Sequence, residues 1–170
     1  VNDEVRLYLY IIHAETGEII YAELLCLKPD LEYMLSIDRM HPMEPKGEIG
    51  QFRFWSELRS ILRSNRIGKI YVLSRRGEMM SEPERQFEIG LVKFADRSYR
   101  VIAHDPYRLR RVMKNLDLEM TDLFDVSTVA RIGKILGAQA MVMIRERDSE
   151  VTAEILHVEK GRIIFRSSGR

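Results

Sequence analysis

A chain of 170 residues, 45% of them hydrophobic, is long enough to bury a core and to hold one domain plus an appendage. Its 27 Lys and Arg are matched by 26 Asp and Glu, a net charge of +1, which argues against a dedicated nucleic-acid binder. Cys26 is the only cysteine, which excludes an internal disulfide and a cysteine-based metal site. No apolar run approaches the roughly 20 residues that span a bilayer.

The chain opens on Val1 rather than Met, so an earlier start is expected, with room for an export signal or lipid anchor. Residues 5–27 read as a β-hairpin: apolar runs at 7–12 and 19–25 flank His13-Ala14-Glu15-Thr16-Gly17-Glu18. The string H-x-E-x-G-x-I-I at 13–20 recurs as His157-Val158-Glu159-Lys160-Gly161-Arg162-Ile163-Ile164, again between two apolar runs. This is one hairpin written twice. Gly17 and Gly161 are expected to supply the left-handed residue that closes a type I turn with a bulge. A hairpin that both opens and closes a chain implies the tail of one module followed by a second. Residues 1–65 therefore read as an appendage and 66–170 as the main domain. Two strands alone are marginal in water. The hairpin is expected to bury Leu7, Leu9, Ile11, Ile20, Leu24 and Leu27 against this chain's own sheet or the helix at 51–65. The alternative is pairing with a second copy as a homodimer.

Residues 28–50 carry Pro29, Pro42, Pro45, Gly47 and Gly50 and read as irregular, but Leu31, Tyr33, Leu35 and Ile37 make them too apolar for a free linker. At 51–65, Phe52, Trp55, Leu58, Ile61 and Leu62 share one face of a helix, stopped by Gly68. Residues 69–73 (KIYVL) form a short buried strand, followed by a polar loop to Met80. Ser81 caps the next helix, with Glu82 and Glu84 in its first turn and Phe87, Leu91 and Phe94 as its inner stripe. A strand at 99–103 follows. Asp105 as N-cap and Pro106 at the first helical position then open a helix carrying Leu109, Val112, Met113 and Leu116. Asp125 or Ser127 caps a further helix through Val129, Ile132, Ile135 and Leu136, which ends at Gly137. A strand at 140–144 and the hairpin at 151–167 complete an α/β fold, a mixed sheet packed with helices.

Residues 125–144, DVSTVARIGKILGAQAMVMI, resemble the "iGkllGAdavv" signature of the curli-secretion-pore and TolB-N-terminal-like superfamily. The flanking pieces follow in order over about 68–168: KIYVL, SYRVIAHD, PYRLRRVMKNLDL and AEILHVEKGRIIFRSSG. Gly133, Gly137 and Ala138 carry the most specific part, small residues that let a helix end press on the next strand. The resemblance implies an anticodon-binding-like α/β fold in a bacterial envelope module. It also implies a periplasmic or envelope-associated location and another envelope protein as partner. Long alternating segments that could serve as membrane-spanning hairpins are missing between the core elements, so a pore role is not expected.

The candidate chemistry is sparse. His13 with Glu15, and His157 with Glu159, stand two apart as metal ligands on a strand would, but two ligands are too few and a structural turn is the expected role. His104-Asp105 has the form of an acid/base pair, yet Asp105 precedes Pro106 as a helix cap. His41 has no visible partner, and Met34, Met40, Met43, Met79 and Met80 read as gap fillers ahead of a docking surface. Arg108, Arg110, Arg111 and Lys114 form the best basic patch, a solvated helix face or a partner-binding surface. No phosphate-binding loop or framed nucleophile is present. The expected function is a non-enzymatic protein-interaction or assembly module with no metal, cofactor or nucleic acid. One alternative is an RNA-binding module in which the 108–114 patch joins Arg97 and Arg100. The other is an enzyme in which His13, His104 or His157 converges with carboxylates.

Overall fold

The computed structural model describes residues 5–27, 49–74, 80–94, 99–147 and 150–169. Most of the irregular segment expected at 28–50, with Met34, His41, Met40 and Met43, lies outside the described residues, as do Met79 and Arg97.

Strands β1 (Val5–Ile12) and β2 (Ile19–Leu27) pair antiparallel. The register passes from Ile11↔Tyr21 to Ile12↔Ile19, which leaves Ile20 as the extra residue of a bulge. Gly17 sits at φ +67° and its N–H donates to the His13 carbonyl at 2.8 Å. The closing hairpin, β6 (Glu150–His157) and β7 (Arg162–Gly169), repeats this geometry. Its register passes from Ile155↔Phe165 to Leu156↔Ile163, Ile164 is the extra residue, and Gly161 sits at φ +60°. The duplicated string is thus a duplicated backbone, down to the bulge.

Between the hairpins run α1 (Ile49–Ser64), β3 (Lys69–Leu73), α2 (Glu82–Phe94), β4 (Arg100–Ile102), α3 (Pro106–Asn115), a 3₁₀ turn (Met120–Phe124), α4 (Val126–Leu136) and β5 (Ala140–Arg147). The five-stranded sheet has the order β4-β3-β5-β6-β7. Its β4, β3 and β5 are parallel, and β5, β6 and β7 are antiparallel. This is the mixed α/β sheet that the sequence predicts. Both faces are buried, so strand residues alternate between two cores. Ile70, Val72, Val101, Ala140, Val142 and Ile144 belong to the core with α1 and α2. Tyr71, Leu73, Ile102, Met141 and Met143 belong to the core with α3 and α4.

Helix α1 buries Leu58 and Leu62 in the first of these cores. Its Phe54 meets Phe165 of β7 edge-on, with ring centroids 5.5 Å apart. Its Trp55 lies against α2, where a Cβ on Gly90 would overlap the indole. Local signals set the helix ends. The Asp105 side chain accepts from the N–H groups of Tyr107 and Arg108 at 2.9 and 3.0 Å. Asp125, rather than Ser127, caps α4 through the Thr128 N–H at 2.8 Å, and Gly137 closes it at φ +77°. Hydrogen bonds from Ser127 and Thr128 hold the Asp125 carboxyl down at about 2.

Ile135 is half exposed, because Ile132 and Leu136 fill the contact with the sheet and turn Ile135 outward. The first hairpin packs on the chain's own sheet at the β4 edge, as expected, and on α2, but it buries the opposite face from the one expected. Tyr8, Tyr10, Ile19 and Ala22 pack inward. Leu7, Leu9, Ile11 and Ile20 point out. On this inner face Tyr8 packs its ring while its hydroxyl reaches Glu82 on α2, and Tyr10 faces Glu88. The side chains of Leu24 and Leu27 lie outside the described residues.

Candidate functional site

The outer face of β1–β2 is the first feature that calls for a function. Leu9 is 47% exposed, Ile11 51% and Ile20 62%, with Leu7, Ile12 and Tyr21 beside them also exposed. The duplication supplies a comparison within the same chain. Leu7, Leu9, Ile11, Ile20 and Tyr21 stand where Val151, Ala153, Ile155, Ile164 and Phe165 stand in the closing hairpin. Of those five, Ala153, Ile155 and Phe165 are buried in the core with α1 and α2, Val151 and Ile164 are half-buried against it, and Ile155 is 0% exposed. The face that the closing hairpin hides under a helix is the one that the first hairpin leaves in solvent.

The opposite face anchors the hairpin. The Tyr8 hydroxyl donates to the Glu82 carboxylate, and the Arg85 guanidinium lies 5.0 Å above the Tyr8 ring. At the turn, the Ala103 N–H donates to the Gly17 carbonyl at 2.9 Å, and Glu18 forms a β-bridge with Ile102. The Glu18 carboxylate takes Arg100 at 2.9 Å and Lys69 at 3.7 Å.

Under this contact lies a buried polar cluster. Glu84 and Glu88, one turn apart on α2, are both buried. Glu84 accepts the Ser81 N–H at 2.6 Å, half of a capping box. Glu88 accepts the backbone N–H of His104 and faces Tyr10 of the hairpin, although Glu88 Oε1 and Tyr10 Oη form no well-aligned hydrogen bond. Burial pushes the Glu88 carboxyl up to about 7, against the lowering effects of Tyr10, the His104 N–H and Arg85. Burial, reinforced by Glu88, raises the Tyr10 phenol. His104 Nδ1 lies 3.0 Å from Tyr71 Oη. The Asp105 N–H also donates to that hydroxyl. Burial lowers the His104 pKa, against the raising effect of Glu84 and Asp105. This cluster is not among the sites expected from the sequence. The signal was the i, i+4, i+7 spacing of Glu84, Glu88 and Leu91, which puts two acids on an apolar stripe.

The remaining candidates fall in separate places. His13 Nδ1 accepts the Thr16 N–H at 3.4 Å, and His157 Nδ1 accepts the Lys160 N–H at 3.3 Å. The two repeat histidines therefore occupy matching turn positions. Among the described residues no group of three or more His, Cys, Asp or Glu is placed to hold a metal ion, and no helix is long and apolar enough to cross a membrane. A Cβ on Gly133 would meet Val158 at 2.7 Å and Met141 at 2.9 Å, whereas the space around Gly137 is open. Close approach is thus required at Gly133 and positive φ at Gly137, while Ala138 is buried beside them. Arg108 donates to the Leu136 carbonyl at 3.3 Å and ties α3 to the end of α4. Arg110, Arg111 and Lys114 are exposed. Arg100 is held by Glu18 at the hairpin turn. An open groove of about 670 Å³ runs past Asn65, Lys134, Gln139, His157 and Lys160, around the closing turn.

No family profile matches the chain, and no curated protein matches it. Among solved structures it is similar to the LpoB C-terminal domain from Salmonella enterica, with 15% identity and a TM-score of 0.47 over 68% of this chain and 92% of that one. It is also similar to the LpoB C-terminal domain from Escherichia coli, with 14% identity and a TM-score of 0.43 over the same shares. The solution structure of E. coli LpoB gives 16% identity and a TM-score of 0.43 over 68% of this chain and 63% of that one. These three are LpoB structures, not the curli-pore or TolB-N-terminal domains whose signature residues 125–144 resemble.

Proposed function

We propose that this chain is a non-enzymatic module of the bacterial cell envelope, periplasmic or envelope-associated, that binds another protein or supports assembly of a larger complex. The observation that carries the reading is the outward apolar row Leu7, Leu9, Ile11 and Ile20. Contiguous exposed patches of this kind mark interaction surfaces. The compartment rests on the resemblance of residues 125–144 to an envelope superfamily. In this reading 5–27 is the tail of one module and 66–170 is a second.

The test is site-specific photo-crosslinking in a bacterium that produces the protein. A photoreactive residue at position 9 or 20 should capture one envelope protein, and the same residue at position 110 should not. Fractionation with the cytoplasm, or no crosslink from positions 9 and 20, would overturn the proposal.

A further inference from the structure

We infer that the open face of the β1–β2 hairpin is the seat of an amphipathic helix of the α1 kind, supplied by another module of this type. The inference rests on the interaction reading above and names the partner for that surface.

The contact that such a helix would make is already present once in this chain. Helix α1 carries Phe54, Trp55, Leu58, Ile61 and Leu62 toward a core shared with β6 and β7. Phe54 there meets Phe165, whose repeat counterpart is Tyr21. The residues beneath α1 and α2 include Ala153, Ile155 and Ile164, whose counterparts are Leu9, Ile11 and Ile20. Both hairpins share turn, bulge and register. They therefore present this row at the same spacing and twist. Chemistry is kept as well as shape, since each position is apolar in both copies. Polar substitution would have left a solvated face, as β-hairpins with one free side ordinarily have. The opposite face is not kept. Glu154 of β6 is buried between Arg145 and Arg166, while the matching Tyr10 points to Glu88. The two copies thus differ where they dock on different neighbours and agree where α1 binds. An α1-type helix with its Arg and Glu residues outward would complete the first hairpin as α1 completes the second.

The probe is a synthetic peptide of residues 49–66, fluorescently labelled and added to the intact chain. Saturable binding is expected. It should weaken by about tenfold or more when Leu9→Lys and Ile11→Lys are combined in the chain, as for central contacts of an interface. Both sites are exposed, so the doubly substituted chain should keep the parent circular dichroism and melting midpoint. A peptide carrying Leu58→Lys and Leu62→Lys should not bind. Binding that ignores the chain substitutions would mean that the peptide displaces the resident α1, and would overturn the inference. A chain that is dimeric alone, becomes monomeric with Leu9→Lys and takes up no peptide would show a second copy on the face, and would also overturn it. Crosslinks at positions 9 and 20 without peptide binding would sink this inference and leave the interaction reading standing.

Discussion

Replacing Glu88 by Gln should make the protein more stable at alkaline pH than its parent, by an amount that the burial of Glu88 sets. The native carboxyl titrates near 7, against an ordinary value of 4.5. A raised acid pKa means that the native state holds the proton more tightly than the unfolded chain. The stability due to the protonated form is complete below about pH 4.5. It is lost as pH rises, and the loss is complete once pH passes the native value near 7. At 1.36 kcal/mol per pH unit, the full span is about 3 kcal/mol, and roughly 2–3 kcal/mol of it falls between pH 5 and pH 8. Gln cannot ionise, so the gap between variant and parent should move by that amount in favour of Gln from pH 5 to pH 8. His104 acts in the opposite sense, because its lowered pKa gives stability that is lost as pH falls below its unfolded value of 6.5. Taking the difference between variant and parent removes that contribution. The assay is urea unfolding at both pH values, followed by circular dichroism and by the fluorescence of Trp55, the one tryptophan. A gap that stays constant within about 0.5 kcal/mol would refute the buried, protonated Glu88, since surface changes lie within that range.

Two further substitutions separate the glycines of α4. Gly133→Ala should cost on the order of 1–3 kcal/mol by overpacking against Val158 and Met141, and Gly137→Ala roughly 1–2 kcal/mol through its positive φ alone. Gly137→Asn should recover much of the second loss and Gly133→Asn none of the first. Equal rescue by Asn at both positions, read as melting temperature, would contradict this assignment. Asp105→Ala should cost about 1 kcal/mol by removing the cap of α3, and Asp105→Ser should retain most of it.

The parts of the fold that were legible in the sequence are those decided within a few residues. Gly17 and Gly161 mark their turns because only a residue tolerant of positive φ closes that bulge. Asp105-Pro106 and Asp125 mark helix starts because their carboxylates answer unpaired N–H groups. The buried face of the first hairpin was not legible. Leu7-Tyr8-Leu9-Tyr10-Ile11-Ile12 is apolar on both sides, so its two-residue period carries no polarity. Glu84 reads as a first-turn acid that the helix dipole favours and Glu88 stands out in no way, because nothing local announces that a hairpin more than fifty residues away in sequence will cover them. The interaction surface was hidden for the same reason. It emerges from comparing the environments of two equal strings, and only their surroundings differ.

The central claim is that equivalent positions in the two hairpins have opposite exposure, and thiol labelling measures it directly. In a Cys26→Ser background, Leu9→Cys and Ala153→Cys place a thiol at matching positions, 47% and 5% exposed in the parent. The account predicts that the thiol at position 9 reacts within about tenfold of the rate in denaturant, while that at position 153 is slower by on the order of 100-fold or more, because its labelling waits on local opening. Equal protection at the two positions would mean that the first hairpin's face is already covered within the chain, and would contradict the account.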